Sequence, residues 1–207
     1  MMLIKRYFLS LFSVLSVVFL LSSCASSPPR HVDNLCHIFD EKSGWYKEAK
    51  EAEKRWGSSV PVMMAIMRQE SSFRATAKPP RTKILWIIPG PRPSSAYGSP
   101  QAKDETWQWY RKSSGNRFAD RDEFDDAIDF IGWYNAQTNK RNRVKLNDAY
   151  NLYMAYHEGH GGYERGTYRK KQWLKQVARK VTSRAQAYQK QLQGCEKRMR
   201  RSGWWFF

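Results

Sequence analysis

Residues 60–74 read VPVMMAIMRQESSFR, and the fold turns on them. Met63, Ile66 and Met67 recur at helical spacing, while Val62, Ile66, Glu70 and Phe73 trace one face. A carboxylate therefore occupies a position where an apolar side chain is expected. Burying a lone charge is costly, so such a group raises its pKa or finds a partner. A carboxyl that keeps its proton near neutral pH is what a general acid requires. The competing reading is an acid at a helix end that turns to water or pairs with Arg68 or Arg74. Ser59 followed by Pro61 starts this helix, with proline in its first turn, and the pattern ends near Phe73.

Working outward, Ser43 is placed to cap a helix over 44–56 with Trp45, Ala49, Ala52 and Trp56 on its stripe, ended by Gly57. Downstream, Pro79, Pro80, Pro89, Pro91 and Pro93 exclude helix from 77–95. The middle of that loop, ILWII at 84–88, has strand length and an apolar content expected to pack, one wall of a cleft being a candidate. Ser99-Pro100 predicts a helix running to about Lys112. Asp120 with Glu123 resembles a capping box, ahead of a helix with Phe124, Ile128, Ile131 and Tyr134 on one face and Phe130 and Trp133 off it. Asn147 is expected to cap a short helix over 148–157, followed by a Gly-rich turn at 158–162. The last helix, over 168–192, has Leu174, Val177, Val181, Ala185, Tyr188 and Leu192 on its stripe and a Lys/Arg face opposite. There is no internal repeat and no phosphate-cradling glycine loop. The class is mostly α, with a long proline-rich loop that has room for a short β segment.

The N-terminus carries a targeting signal. Lys5 and Arg6 precede an apolar run over 7–21, too short to span a bilayer as a helix, and Leu21-Ser22-Ser23-Cys24 follows. That run looks like a bacterial lipobox, which implies cleavage before Cys24 and lipid on its sulfur. Residues 1–23 are then a signal peptide, 24–42 a linker, 43–195 the domain, and 196–207 a basic, aromatic tail. Loss of Lys5 and Arg6 lowers the net charge from +17 to +15, a field that favours polyanions. For an exported chain, anionic wall polymer or lipid headgroups fit better than nucleic acid. With Cys24 lipidated, Cys36 and Cys195 remain, and an oxidising compartment favours a disulfide between them. The alternatives are free thiols or pairing between molecules. No CxxC or Cys/His cluster points to a metal, and no cofactor is called for.

Three blocks, in order, carry a resemblance: Glu70-Ser71 at the end of an apolar helix; Gly98-Ser99-Pro100-Gln101 with Thr106 five residues after the Gln; and Ala155-Tyr156-His157-Glu158-Gly159-His160-Gly161. Over roughly 45–190 the chain resembles the lytic transglycosylases of the bacterial wall, whose catalytic domain is goose-lysozyme-like. Pro100 stands where the family has Met, His157 where it has Asn, and the spacer from Glu70 to Gln101 is long. The resemblance implies a helical lysozyme-like fold and a single catalytic acid, Glu70, that protonates the leaving oxygen of a MurNAc–GlcNAc bond. The same group then takes a proton from the sugar 6-hydroxyl, closing a 1,6-anhydro ring without water. Gln101 and Tyr156 would contact sugar or its acetamido group, His157 would replace the family Asn, and Ser71 would orient the acid or the sugar. Trp86, Trp107 and Tyr97 are candidate stacking faces. Glu158 is either a second acid, which makes a hydrolase, or a solvent-facing turn residue.

The expected function is thus a lytic transglycosylase acting on peptidoglycan glycan strands. Its place is the periplasm of a Gram-negative cell, tethered to the membrane by the N-terminal lipid. Ala25 after Cys24 resembles the outer-membrane sorting pattern. The competing readings are a hydrolytic muramidase, a wall-binding or secretion-apparatus lipoprotein on a retired enzyme fold, and a membrane-tethered polyanion binder. No protein partner is legible.

Overall fold

The computed structural model describes residues 27–202. The signal segment, the lipobox Cys24 and the aromatic end at Trp204–Phe207 lie outside them. The described residues form α1 (Leu35–Glu41), α2 (Trp45–Trp56), α3 (Val60–Ser71), a hairpin of β1 (Lys83–Ile84) and β2 (Ile88–Pro89), α4 (Asp104–Ser114), α5 (Phe124–Asn142), α6 (Ala149–Glu158), α7 (His160–Glu164), a 3-10 turn (Thr167–Lys170) and α8 (Gln172–Ser202).

The helix α3 is the hub. Every residue from Val60 to Met67 is buried, so the apolar stripe read from the sequence widens to the whole circumference. That is the pattern of a helix enclosed by others. It packs against α5 and α8, and α2 lies along α5. Removing its Val, Met and Ile side chains from water stabilises the fold by about 1.5–3 kcal/mol each, as an upper estimate. Ser72 and Phe73 end the helix at φ 56° and 61°, two successive left-handed residues without glycine. That conformation costs roughly 1–2 kcal/mol per residue. Burial of the Phe73 ring beside Trp45, with centroids 6.0 Å apart, offsets it. Trp45 in turn stacks on Phe124 at 3.8 Å. Asp129 ties three helices, accepting from the Trp56 Nε1–H at 2.7 Å and the Tyr110 hydroxyl at 2.8 Å.

Several expectations are corrected. The segment read as a linker contains α1, whose Leu35 and Ile38 are fully buried. Its short apolar pattern gains meaning only beside α8. There the Gln191 side chain accepts from Leu35 N–H at 2.8 Å and donates to Asp33 O at 3.2 Å. Cys36 and Cys195 form a disulfide that closes α1 onto α8 across 159 residues, with Cα atoms 6.1 Å apart. The helix α8 also runs beyond residue 195, with Met199 buried. Helix starts move as well. No helix follows Ser99-Pro100 until Asp104, because Tyr97 and Ala102 pair as an antiparallel bridge around a turn. The Asp126 carboxylate, not that of Glu123, takes the Asp120 N–H at 2.7 Å, and α5 begins at Phe124. Asp148, not Asn147, caps α6 by accepting from Asn151 N–H at 3.1 Å. The apolar run 84–88 does not pack: it forms an exposed hairpin tip.

Candidate active site

A cleft of about 370 Å³ opens where four elements converge. The last turn of α3 supplies Glu70. The turn before α4 supplies Gln101, Ala102 and Lys103, and α4 itself Thr106. Phe130 and Tyr134 come from α5. The end of α6 supplies Tyr156, His157, Glu158 and then Gly159.

Glu70 makes no ion pair among the described residues, since its two cationic neighbours in sequence are engaged elsewhere. Arg68 pairs with Asp33 at 3.4 Å and donates to the Ser72 hydroxyl at 2.7 Å, and the Arg74 Nε–H caps the Ser71 carbonyl at 2.9 Å. Burial pushes the Glu70 carboxyl up to about 7, and a hydrogen bond from the Tyr153 hydroxyl partly opposes the rise. Near neutral pH the group is therefore divided between acid and carboxylate, the condition for a residue that first gives and then takes a proton. Tyr153 is buried, and that burial, reinforced by the adjacent Glu70 carboxylate, drives its own phenol well above the ordinary range. It remains a donor throughout. Tyr153→Phe removes a bond that favours the ionised form of Glu70. The alkaline limb of the activity–pH profile is then expected to move to higher pH, measured as initial rate of glycan release across pH 5–9.

Tyr153 was not legible as a site residue. It lies three residues before Tyr156 on one helix, so the two rings share a face, and that spacing was the available signal. The Tyr156 hydroxyl donates to Pro100 O at 2.6 Å, and its ring sits edge-on to Tyr134 at 5.0 Å. Tyr134 stacks on the buried His160 at 4.3 Å, and His160 Nε2 meets the Thr138 hydroxyl at 3.0 Å. His160 is thus a wedge behind the cleft.

Gln101 sits at φ 50°, and its amide donates to both Ala77 O and Gly98 O at 2.9 Å. Both amide hydrogens are used, so the side-chain oxygen is what remains for a ligand. Gly98 makes this turn possible. Its φ is 77°, and a Cβ there would stand 2.2 Å from the Arg121 carbonyl oxygen. Gly98→Ala combines a backbone clash with a disfavoured φ. It is expected to cost at least about 2 kcal/mol and to displace Gln101. Thermal unfolding alongside the rate of sacculus clearing checks both effects.

His157 lies at the exposed rim, its Nδ1 3.0 Å from Glu158 and its ring edge-on to Trp173 at 5.1 Å. Glu158 does not face solvent; its side chain is 3% exposed. Burial raises its pKa, but bonds from Lys171, Thr167 and His157 outweigh that and hold the carboxyl below its ordinary range. Lys171 Nζ reaches both oxygens, at 2.7 and 2.9 Å. The group is an ionised clamp between α6 and the start of α8.

The structure brings Glu70, Gln101, Tyr156 and His157 into one cleft and leaves Ser71 and Tyr97 out of its lining. The buried Ser71 hydroxyl donates back to Met67 O at 3.3 Å. Tyr97 donates to Asp122 at 3.0 Å, its ring flanked by Lys78 and Arg121. Trp107 is a core residue against Tyr110 and Phe130, and Trp86 is at the hairpin tip, so neither offers a stacking face to the cleft. Phe130 and Tyr134 line it instead. Among the described residues no group of His, Cys, Asp or Glu is placed to hold a metal ion.

The sequence model of the family described as "Transglycosylase SLT domain" matches residues 12–195. No curated protein sequence matches the chain.

Proposed function

Because the chain belongs to the transglycosylase SLT domain family, we propose that its cleft cleaves the β-1,4 bond between MurNAc and GlcNAc, with Glu70 as the single general acid and base. The observation that carries this reading is the unpaired, desolvated Glu70 carboxyl, raised to about 7 in a cleft whose other carboxylate, Glu158, is already engaged. Protonated Glu70 gives its proton to the glycosidic oxygen as the C1–O bond breaks. The substrate's acetamido oxygen supports the positive charge at C1. The ionised Glu70, held by the Tyr153 hydroxyl, then accepts the proton of the 6-hydroxyl as that oxygen bonds to C1. The acid is regenerated and a 1,6-anhydro-MurNAc end results.

Gln101 fits this chemistry as an acceptor, since only its oxygen is uncommitted, and it would take an acetamido N–H or a sugar hydroxyl. Tyr156, its proton committed to Pro100 O, offers a second acceptor and an apolar ring beside the sugar. His157 stands at the rim, where a sugar entering the cleft would meet it.

The engagement of Glu158 favours this route over hydrolysis, because a base that activates water needs a free carboxylate. The reading includes export to the periplasm, with Cys24 carrying the lipid that holds the enzyme at the outer membrane. Mass analysis of digested sacculi tests the reaction: anhydro ends, one water lighter than reducing ends, are expected. Products with reducing ends alone would replace it with a muramidase, and no soluble product with a wall-binding protein.

A further inference from the structure

The hairpin at 83–89 takes no part in the cleft, and its tip has an unusual combination of features. Five consecutive apolar residues are exposed, with Leu85 at 76%, Trp86 at 89% and Ile87 at 85%. Leu85 and Trp86 both take positive φ, 50° and 65°, in a turn closed by Ile87 N–H to Ile84 O at 3.3 Å. Turns of this kind ordinarily select Asn or Gly. Here two large apolar side chains are held against both backbone preference and hydration, and strain of that sort points to a use outside the fold.

The stalk below is braced. The Thr82 N–H and hydroxyl both donate to Pro91 O, at 3.0 and 2.8 Å, and Gly90 N–H donates to Thr82 O at 2.7 Å. A Cβ at Gly90 would stand 2.4 Å from the Thr82 hydroxyl, so this close pairing depends on the glycine. From residue 75 to residue 103 the chain has no Asp or Glu. Lys78, Arg81, Lys83 and Arg92 are exposed in that stretch and make no ion pair among the described residues.

We propose that this tip is a membrane-surface anchor, with Leu85, Trp86 and Ile87 entering the headgroup–acyl boundary of an anionic bilayer while the surrounding cations meet lipid phosphates. Tryptophan favours that boundary, having an apolar body and a polar N–H. Cations beside an inserted apolar element add attraction to anionic lipid. A glycan is a poorer match, because sugar recognition needs several hydrogen-bonding side chains beside the rings and the run 84–88 offers the Trp86 N–H alone. The inference is independent of the cleavage chemistry.

The test uses the full chain with Cys24→Ser, so that no lipid is attached. A polarity-sensitive fluorophore is placed on Ile87→Cys or, in a second protein, on Lys190→Cys, an exposed site on α8. Vesicles of phosphatidylglycerol with phosphatidylethanolamine are expected to shift the emission at 87 to the blue and leave 190 unchanged. Adding Lys83→Glu and Arg81→Glu is expected to weaken the titration at 87 by about twentyfold or more, since each basic residue near the surface contributes roughly a factor of five. No shift at 87 overturns the proposal. So does an equal shift at both positions, which marks binding through another part of the chain, or a shift produced by sacculus fragments and not by vesicles.

Discussion

Glu70→Gln is expected to lower the release of anhydro products by about 10²–10⁴-fold, the usual contribution of a positioned general acid. It should also make the protein more stable at alkaline pH. The carboxyl has an ordinary value of 4.5 and is raised to about 7 in the fold, chiefly by burial. Between those values the native state holds a proton that the unfolded chain has released, so wild-type stability falls as pH rises through the window. At about 1.4 kcal/mol per pKa unit, the accumulated cost above pH 7 reaches up to about 3 kcal/mol. Glutamine mimics the protonated acid and avoids that cost. Melting curves of the two proteins should therefore converge near pH 4 and separate to a constant gap above pH 7. Glu48 is also raised to about 7, by burial and then by Asp125, so the wild type has a second source of the same trend. The difference between the two proteins isolates Glu70. Retained lytic activity in the variant, or a stability gap that ignores pH, would falsify its role as a desolvated acid.

Removing the disulfide, as Cys36→Ser with Cys195→Ser, is expected to cost about 3–5 kcal/mol. A bridge that closes a loop of 159 residues restricts the unfolded chain by about 5 kcal/mol in the chain-entropy model. Contacts that survive reduction keep α1 near α8. Gln191 still bonds Leu35 and Asp33, and the Arg198–Asp40 ion pair still spans the two helices. Urea denaturation of the bridged and bridge-free proteins measures the difference through the midpoint at constant slope. Hydrogen exchange should show 35–41 opening first, because a seven-residue helix has little stability without its partner. A loss below about 1 kcal/mol would mean that the side-chain contacts alone restrict the ends.

The apolar pattern of 60–74 puts Glu70 on the inward face; α3 is buried from Val60 to Met67 as that pattern requires, and Glu70 is partly buried where the helix meets the cleft. Helical class, the Gly57 stop and the stripe of α8 were equally legible, because helix periodicity records which side of an element meets the core. Direction at a helix end was less so. Ser71 was expected beside the acid or the sugar, yet the next position on a helix turns about 100° away, and its hydroxyl closes on Met67 O instead. The run 84–88 has the composition of a packed strand, but composition does not say whether a surface is available to cover it, and none covers it among the described residues.

The sequence alone determined the helical class and the apolar stripe that includes Glu70, and it favoured a Cys36–Cys195 pair that the structure contains, because periodicity and residue chemistry are local properties of the chain. Only the tertiary structure decided what surrounds Glu70. It set Tyr153 beside the acid from a helix more than eighty residues away, took Arg68 and Arg74 to other partners, and closed Lys171 over Glu158. The pKa of a buried group depends on which dipoles and charges lie within a few ångströms of it, and packing between distant segments fixes those distances.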